Sequence, residues 1–486
     1  MKIRVLWLSA AAALVVAVAL AGCGGTNYFA GRNLPPSGLT NRVLIAIQNP
    51  SAFAKGSLQF VDAYYDIRSG YNGKPGSFAI SGYSGALPIS IQNMPEEQLG
   101  FVYGSGDGSF SPITYSKEST GSATAGLNGL SSSIFVTRSQ NFVFAASQNS
   151  HVLTVVDHIS NNSYPLSLPG VYRLSVNPGG SMAIAFVHNS NYSYYPVKLS
   201  AAQTINYSGG PTTWPRAAVD CEPLNSPGWC LLQAQSPDHV DSTGTPYGAP
   251  LVFDRPVKAV FSTDGGTAYV LNCGPECGGA TASISQLPVA PMIFLVGQGS
   301  GTLPNNTTLS ASTLPIPGGA SNALVDSSTM YVVGQQPQQM NGQTLFTGNL
   351  TTVNLSSNTA SSPVSISDGQ PGAPSRMLQA DNNTLWIAMT KCNLGVRAAT
   401  GKPYGCLTMF DTTAGAVKLI EPYLGDATGV AAVTGLNKIY TAEGGQVYIY
   451  TTTDGTALDN QYVTVTGTAF DVAYMDAATD ANNTVY

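Results

Sequence analysis

Seven cysteines are the most chemically suggestive residues in this 486-residue chain, and six of them fall as three local pairs: Cys221 with Cys230, Cys273 with Cys277, and Cys392 with Cys406. Such pairs outside the cytosol read as disulfides. Six cysteines permit about 15 connectivities, so nearest-neighbour pairing is an expectation from proximity. The alternative for Cys273-Gly-Pro-Glu-Cys277 is a zinc pair, whose spacing falls in the usual range. No His lies near it. The four histidines, His151, His158, His188 and His239, show no H-x-x-x-H or similar ligand spacing and read as turn or strand-end residues, so no metal is expected. The chain also lacks G-x-S-x-G, a P-loop and a dinucleotide fingerprint. Hydrolase, nucleotide and Rossmann chemistry therefore have no sequence signal, and no cofactor is expected.

The seventh cysteine has a different setting. Lys2 and Arg4 precede an apolar run from Val5 to Ala21, the layout of an export signal. An uncleaved membrane helix is the competing reading, because the run approaches the roughly 18 residues needed to span a bilayer. Leu20-Ala21-Gly22-Cys23 resembles the lipobox of bacterial lipoproteins. That resemblance implies a signal peptide over 1–22, lipid attachment at Cys23 and a membrane anchor. Three acyl chains exceed the two-signal requirement for stable anchoring. Gly24 stands where lipoproteins retained in the inner membrane carry Asp, which places the protein in the cell envelope, at the outer membrane where the source has two. Residues 23–40 are rich in Gly, Pro, Asn and Ser and read as a flexible tether.

Without Lys2 and Arg4, 18 basic residues face 26 acidic ones, a net charge of −8 that argues against nucleic acid as a partner. Charged residues make up 9% of the chain against about 25% usually, so the polar surface is mostly neutral. Low Lys and Glu content disfavours long exposed helices, and the composition reads as all-β.

The elements that would position any site come as a repeat. A unit of about 40 to 50 residues recurs: a short apolar strand, a turn rich in Asp, Asn, Gly or Pro, a second strand ending in a polar residue, then two more strands. The clearest copy runs KAVFSTDGG into TAYVLNC and TASISQLPV between Val257 and Pro288. Phe261-Ser-Thr-Asp-Gly-Gly266 followed by Tyr269-Val-Leu-Asn272 resembles the repeat of YVTN-type β-propellers. Weaker copies open at Ser133, Arg173, Asn322, Arg376 and Gly429. Seven units leave strands over at both ends (Val43 to Asn49, Leu58 to Ala63 and Ser77 to Gly82, then Phe470 to Ala477), which can combine into one split blade. The expected fold over 41–486 is therefore a β-propeller of four-stranded blades, eight by count with seven the close alternative, closed by its N- and C-terminal strands. The stretch 209–255 is too long for a blade connection and reads as an insertion on one face.

Propellers serve as lactonases and quinoproteins as well as binding scaffolds. Resemblance to the lactonases implies Glu, Arg or His at the channel mouth, and Arg173 and Arg376 open innermost strands, with Asp264, Asp326 and Asp381 in the turns that follow. The competing reading is that these acids cap turns and the arginines pair locally. Trp214, Trp229 and Trp386 show no quinone-stacking pattern. Tyr64-Tyr65 and Tyr192-Ser-Tyr-Tyr195 suit a saccharide or protein ligand, although strand cores use Tyr as well. The expected function is a cell-envelope binding or scaffold role, with a lactonase-like envelope hydrolase as the alternative.

Overall fold

Second strands such as Phe142–Ser147 (FVFAAS) and Thr384–Thr390 (TLWIAMT) are apolar almost without alternation, because a propeller blade is covered on both faces by its neighbours. A computed structural model of the chain describes residues 28–29, 31–49, 55–67, 78–198, 218–223, 228–234, 239–240, 246–247, 250–289, 312–340, 342–392, 405–421 and 424–479. Cys23, the expected signal peptide and residues 24–27 lie outside them.

The described residues build eight antiparallel blades. Their innermost strands, in ring order, are Thr468–Tyr474 (blade 1), Pro88–Met94 (2), Ser133–Val136 (3), Val171–Val176 (4), Pro256–Phe261 (5), Asn322–Asp326 (6), Ala373–Ala380 (7) and Ala427–Val433 (8). The eight-blade count thus holds, and seven does not. The tight turns are chemical: in blade 5 Asp264 accepts the Gly266 amide at 2.9 Å while Gly265 takes φ +71°, a conformation Gly adopts without steric cost.

Blade 1 is assembled from both chain ends. The strand Arg42–Gln48 pairs with Ser57–Asp62 on one side and with Thr468–Tyr474 on the other, Val43 facing Tyr474 and Leu44 facing Ala473. The outermost segment bridges through Gln59 and Ala79. Closure leaves Arg42–Gln48 paired on both sides.

At this seam Arg42 is fully buried. Its guanidinium donates to Asp476 at 2.6 and 2.9 Å, to Glu118 at 2.8 Å and to the Tyr115 carbonyl at 2.9 Å. Part of the expected tether is docked here rather than free. Phe29 is buried against Arg42, the Tyr28 amide donates to the Asp476 carbonyl, and Ser37 donates to Glu118 through both its amide and its hydroxyl. The segment supplies an apolar cover and hydrogen-bond partners that a buried ion network needs.

Two described strands of the 209–255 stretch belong to a blade rather than to a loop on one face. Ala218–Glu222 and Trp229–Gln233 are the two outer strands of blade 4, with Cys221 and Cys230 opposite each other and bonded. Pairing them covers the edge that Ser193–Lys198 would otherwise expose. The other two local pairs, Cys273–Cys277 and Cys392–Cys406, are disulfides as well, so the thiols of the candidate zinc pair are spent on each other.

Candidate functional site at the channel mouth

Six innermost strands share one irregularity near their start. The ladder skips a residue between Pro88 and Ser90, Val171 and Arg173, Pro256 and Lys258, Pro374 and Arg376, Ala427 and Gly429, and Ala469 and Asp471. In blades 3 and 6 the amides of Ser132 and Ser321 donate to the carbonyls of Ala146 and Val333, the residues already opposite Ser133 and Asn322, which is the same two-against-one arrangement. A β-bulge re-aims the side chain that follows it. The eight residues after the bulge are Asp471, Ser90, Ser133, Arg173, Lys258, Asn322, Arg376 and Gly429. They occupy one level of the central channel.

Their hydrogen bonds run from blade to blade. Ser133 Oγ accepts the Leu174 amide at 3.1 Å, Arg173 Nη1 reaches the Val257 carbonyl at 3.4 Å, and Lys258 Nζ donates to Asn322 Oδ1 at 2.8 Å. Asn322 Nδ2 donates to the Ser375 carbonyl at 3.3 Å. Arg376 donates to the Thr428 carbonyl at 3.1 Å and to Asp471 at 2.7 Å, and Asp471 accepts the Ile91 amide at 2.8 Å. Gly429 is the one position with no side chain, and it could hold none: a Cβ there would lie 2.7 Å from the Asp471 Cα.

Above Arg173, Lys258 and Asn322 opens a cavity of about 690 Å³ bounded by blades 3 to 7. One wall is the stacked pair of Tyr172 and His188, ring centroids 3.9 Å apart. Another is Glu276, carried on the one-turn helix Gly274–Cys277 that the disulfide closes, with its carboxylate accepting the Gln335 amide at 3.1 Å. Arg255 and Lys391 stand at the same mouth.

Burial disturbs the protonation of these groups. It lowers the Lys258 ammonium to about 7, with Arg173 and Arg376 pushing the same way. It raises the Glu276 carboxyl to about 7 against the pull of Arg173 and Lys391. Asp471 is raised to about 6 by burial, opposed by Arg376. Two groups of opposite type shifted to about 7 in one cavity are a pattern typical of functional sites.

Of the residues expected at the channel, Arg173 and Arg376 are there, and the three aspartates are not. Asp326 ends its innermost strand, and Asp264 and Asp381 lie in the turns beyond theirs, all at the end opposite the post-bulge residues. Asp264 holds the Gly266 amide, Asp326 accepts Gln379 Nε2 at 3.0 Å, and Asp381 accepts the Gly435 amide at 2.8 Å. Trp229 and Trp386 are buried in the blade cores, and Trp214 lies outside the described residues. Tyr64 and Tyr65 are exposed as an edge-to-face pair, whereas Tyr195 is buried.

No family model matches the chain, and no curated protein matches it. Solved structures similar in fold include dihydro-heme d1 dehydrogenase NirN (10% identity, TM-score 0.49, covering 91% of this chain and 79% of that one). Hydrazine synthase of Kuenenia stuttgartiensis (14%, 0.45, 78% and 100%) and the periplasmic gluconolactonase PpgL of Pseudomonas aeruginosa (12%, 0.45, 90% and 99%) are others. At these identities the likeness is one of fold.

Proposed function

We propose that this chain is a ligand-binding propeller of the cell envelope, lipid-anchored through Cys23, which holds a small molecule at the channel mouth without turning it over. The observation that carries the reading is the convergence of four post-bulge residues, Ser133, Arg173, Lys258 and Asn322, with the Tyr172–His188 stack and Glu276 on one cavity. A concave site with an aromatic wall and a few convergent polar groups is how small-molecule sites are generally built. Among the described residues, none of the serines lining that cavity hydrogen-bonds to a histidine or a carboxylate, so no activated hydroxyl is set up there.

Two experiments test the parts separately. Cys23→Ala should abolish incorporation of labelled palmitate, and label retained in the variant would refute anchoring at Cys23. For the cavity, detergent-solubilised full chain is screened by thermal shift against monosaccharides, short peptides and small organic acids. A compound that stabilises the wild type should lose that effect in Tyr172→Ala and His188→Ala, since a ligand that binds only the native site stabilises by mass action. Unchanged shifts in both variants would remove the channel mouth as the site. One observation favours the lactonase-like alternative: Glu276, near neutrality in the cavity, has the protonation of a general base. Hydrolysis of a lactone panel that is lost in Glu276→Gln would replace binding by catalysis.

A further inference from the structure

We propose that the channel-mouth ligand is a small organic anion, its negative group held between Arg173 and Lys258 with Asn322 bracing the lysine. This rests on the reading of the cavity as a ligand site and adds the charge of what fills it.

The argument begins from scarcity. The chain has only 20 lysines and arginines, yet five of them stand at or beside this cavity: Arg173, Arg255, Lys258, Arg376 and Lys391. Three of the five come from the same post-bulge position of blades 4, 5 and 7, so the fold delivers them to one level of a narrow channel. Like charges gathered in a part-buried site repel, and neighbouring acids normally offset this.

Here the acids are committed elsewhere. Asp471 is taken by Arg376 at 2.7 Å and by the Ile91 amide. Glu276 is the remaining acid at the mouth, and burial holds it half-protonated at neutral pH. Among the described residues, neither Arg173 nor Lys258 has an ion pair. Arg173 has one long bond to a carbonyl, and Lys258 has the neutral Asn322. A guanidinium and an ammonium with donors to spare, on adjacent strands and open to a cavity of about 690 Å³, lack only a counterion.

The groups packed around Lys258 also give the binding a pH dependence. From blade 4 it faces Arg173, from blade 6 Asn322, and from blade 7 Arg376, while Glu276 stands beside Arg173. An anion bound next to the ammonium favours its charged form, so binding takes up a proton near pH 7. As pH rises through 7, Lys258 loses its charge and Glu276 gains one. Both changes weaken anion binding.

Calorimetric titration of the detergent-solubilised full chain with succinate and with inorganic phosphate, in sodium chloride of fixed ionic strength, tests this. Saturable binding is expected for at least one of the two, tighter at pH 6 than at pH 8, with proton uptake visible as a dependence on buffer ionisation heat. Succinate alone would identify a carboxylate ligand, and phosphate alone a phosphoryl one. Arg173→Gln and Lys258→Gln should each weaken binding about tenfold or more, the loss usual for a hydrogen bond to a charged group. In Lys258→Gln the proton uptake should fall, what remains belonging to Glu276. Binding that neither variant changes, or no binding of either anion above chloride, would overturn the assignment. Should neutral sugars instead bind with dependence on Tyr172, the cavity remains the ligand site and only the anion inference fails.

Discussion

Arg42 at the closure seam and Arg173 at the channel mouth are both arginines carried into the interior on a strand, but their surroundings differ completely. Arg42 is fully buried and compensated: two carboxylates, a carbonyl and the rings of Phe29 and Phe60 surround it, so its guanidinium has little hydrogen-bonding capacity left. Arg173 is half-buried, beside a cavity and next to other cations, with one carbonyl within reach and the Tyr172 ring 5.7 Å from its guanidinium. A buried charge costs several kcal/mol unless it is paired. Where the fold supplies every partner, the charge is architecture. Where it supplies no ion-pair partner and leaves space, the counterion comes from outside.

The largest test of this contrast removes the strand that serves both regions. Deleting from Thr468 onward takes away the inner strand of blade 1, Asp471 from the channel and Asp476 from the seam. It exposes the edge of Arg42–Gln48 and opens the ring. Aggregation, or a large fall in Tm, is expected by light scattering and thermal melting, whereas removal of 481–486 alone should be much milder. A truncated protein that stayed monomeric with an unchanged Tm would mean that the ends do not hold the ring.

A finer test sets the two arginines against each other. Asp476→Ala leaves a fully buried guanidinium short of its main partner and should cost about 3–5 kcal/mol in denaturant unfolding, if unfolding stays reversible. Arg173→Met should cost less than about 1 kcal/mol, because it breaks no ion pair and relieves repulsion with Lys258. Equal losses would erase the distinction between seam and site.

Much of this was legible in the residue order, and the failures have physical reasons. The blade count and the split blade follow from strand spacing and turn residues such as Asp264-Gly265, which are local. The ring was visible too, as a column: the aligned repeat copies open on Ser133, Arg173, Asn322, Arg376 and Gly429, and Lys258 opens the clearest one. Reading that column as a single level of a channel requires the β-bulge, which is a property of strand pairing and has no signature of its own here. Asp471 completes the ring only because the chain ends meet, and it lies 95 residues from Arg376 in sequence. Glu276 sits in the Cys273–Cys277 loop, where the cysteines drew the chemical reading to themselves. The turn aspartates were associated with the arginines by sequence proximity, but a strand of six residues separates its two ends by roughly 20 Å.

The last test sharpens the comparison most, because it reads the uncompensated charges in the absence of any ligand. Lys258 titrates near 7 in the fold and near 10.5 when unfolded. Below pH 7 both states hold the proton and the fold bears the full cost of a buried cation. Between 7 and 10.5 only the unfolded state holds it, so stability rises with pH over that range. Lys258→Met removes the cost, and should therefore raise Tm at pH 6 with the gain fading towards pH 10. Glu276 has the opposite sign. Its folded value near 7 lies above the ordinary 4.5, so the fold is favoured at low pH and loses that advantage as pH rises from 4.5 through 7. Glu276→Gln should raise Tm at pH 8 and leave it unchanged at pH 4. Melting curves of the two variants and the wild type across pH 4 to 10 would then show two stability gains of mirrored pH dependence. Parallel curves for both variants would mean that neither group carries an uncompensated charge, and that the channel mouth is balanced in the way the seam is.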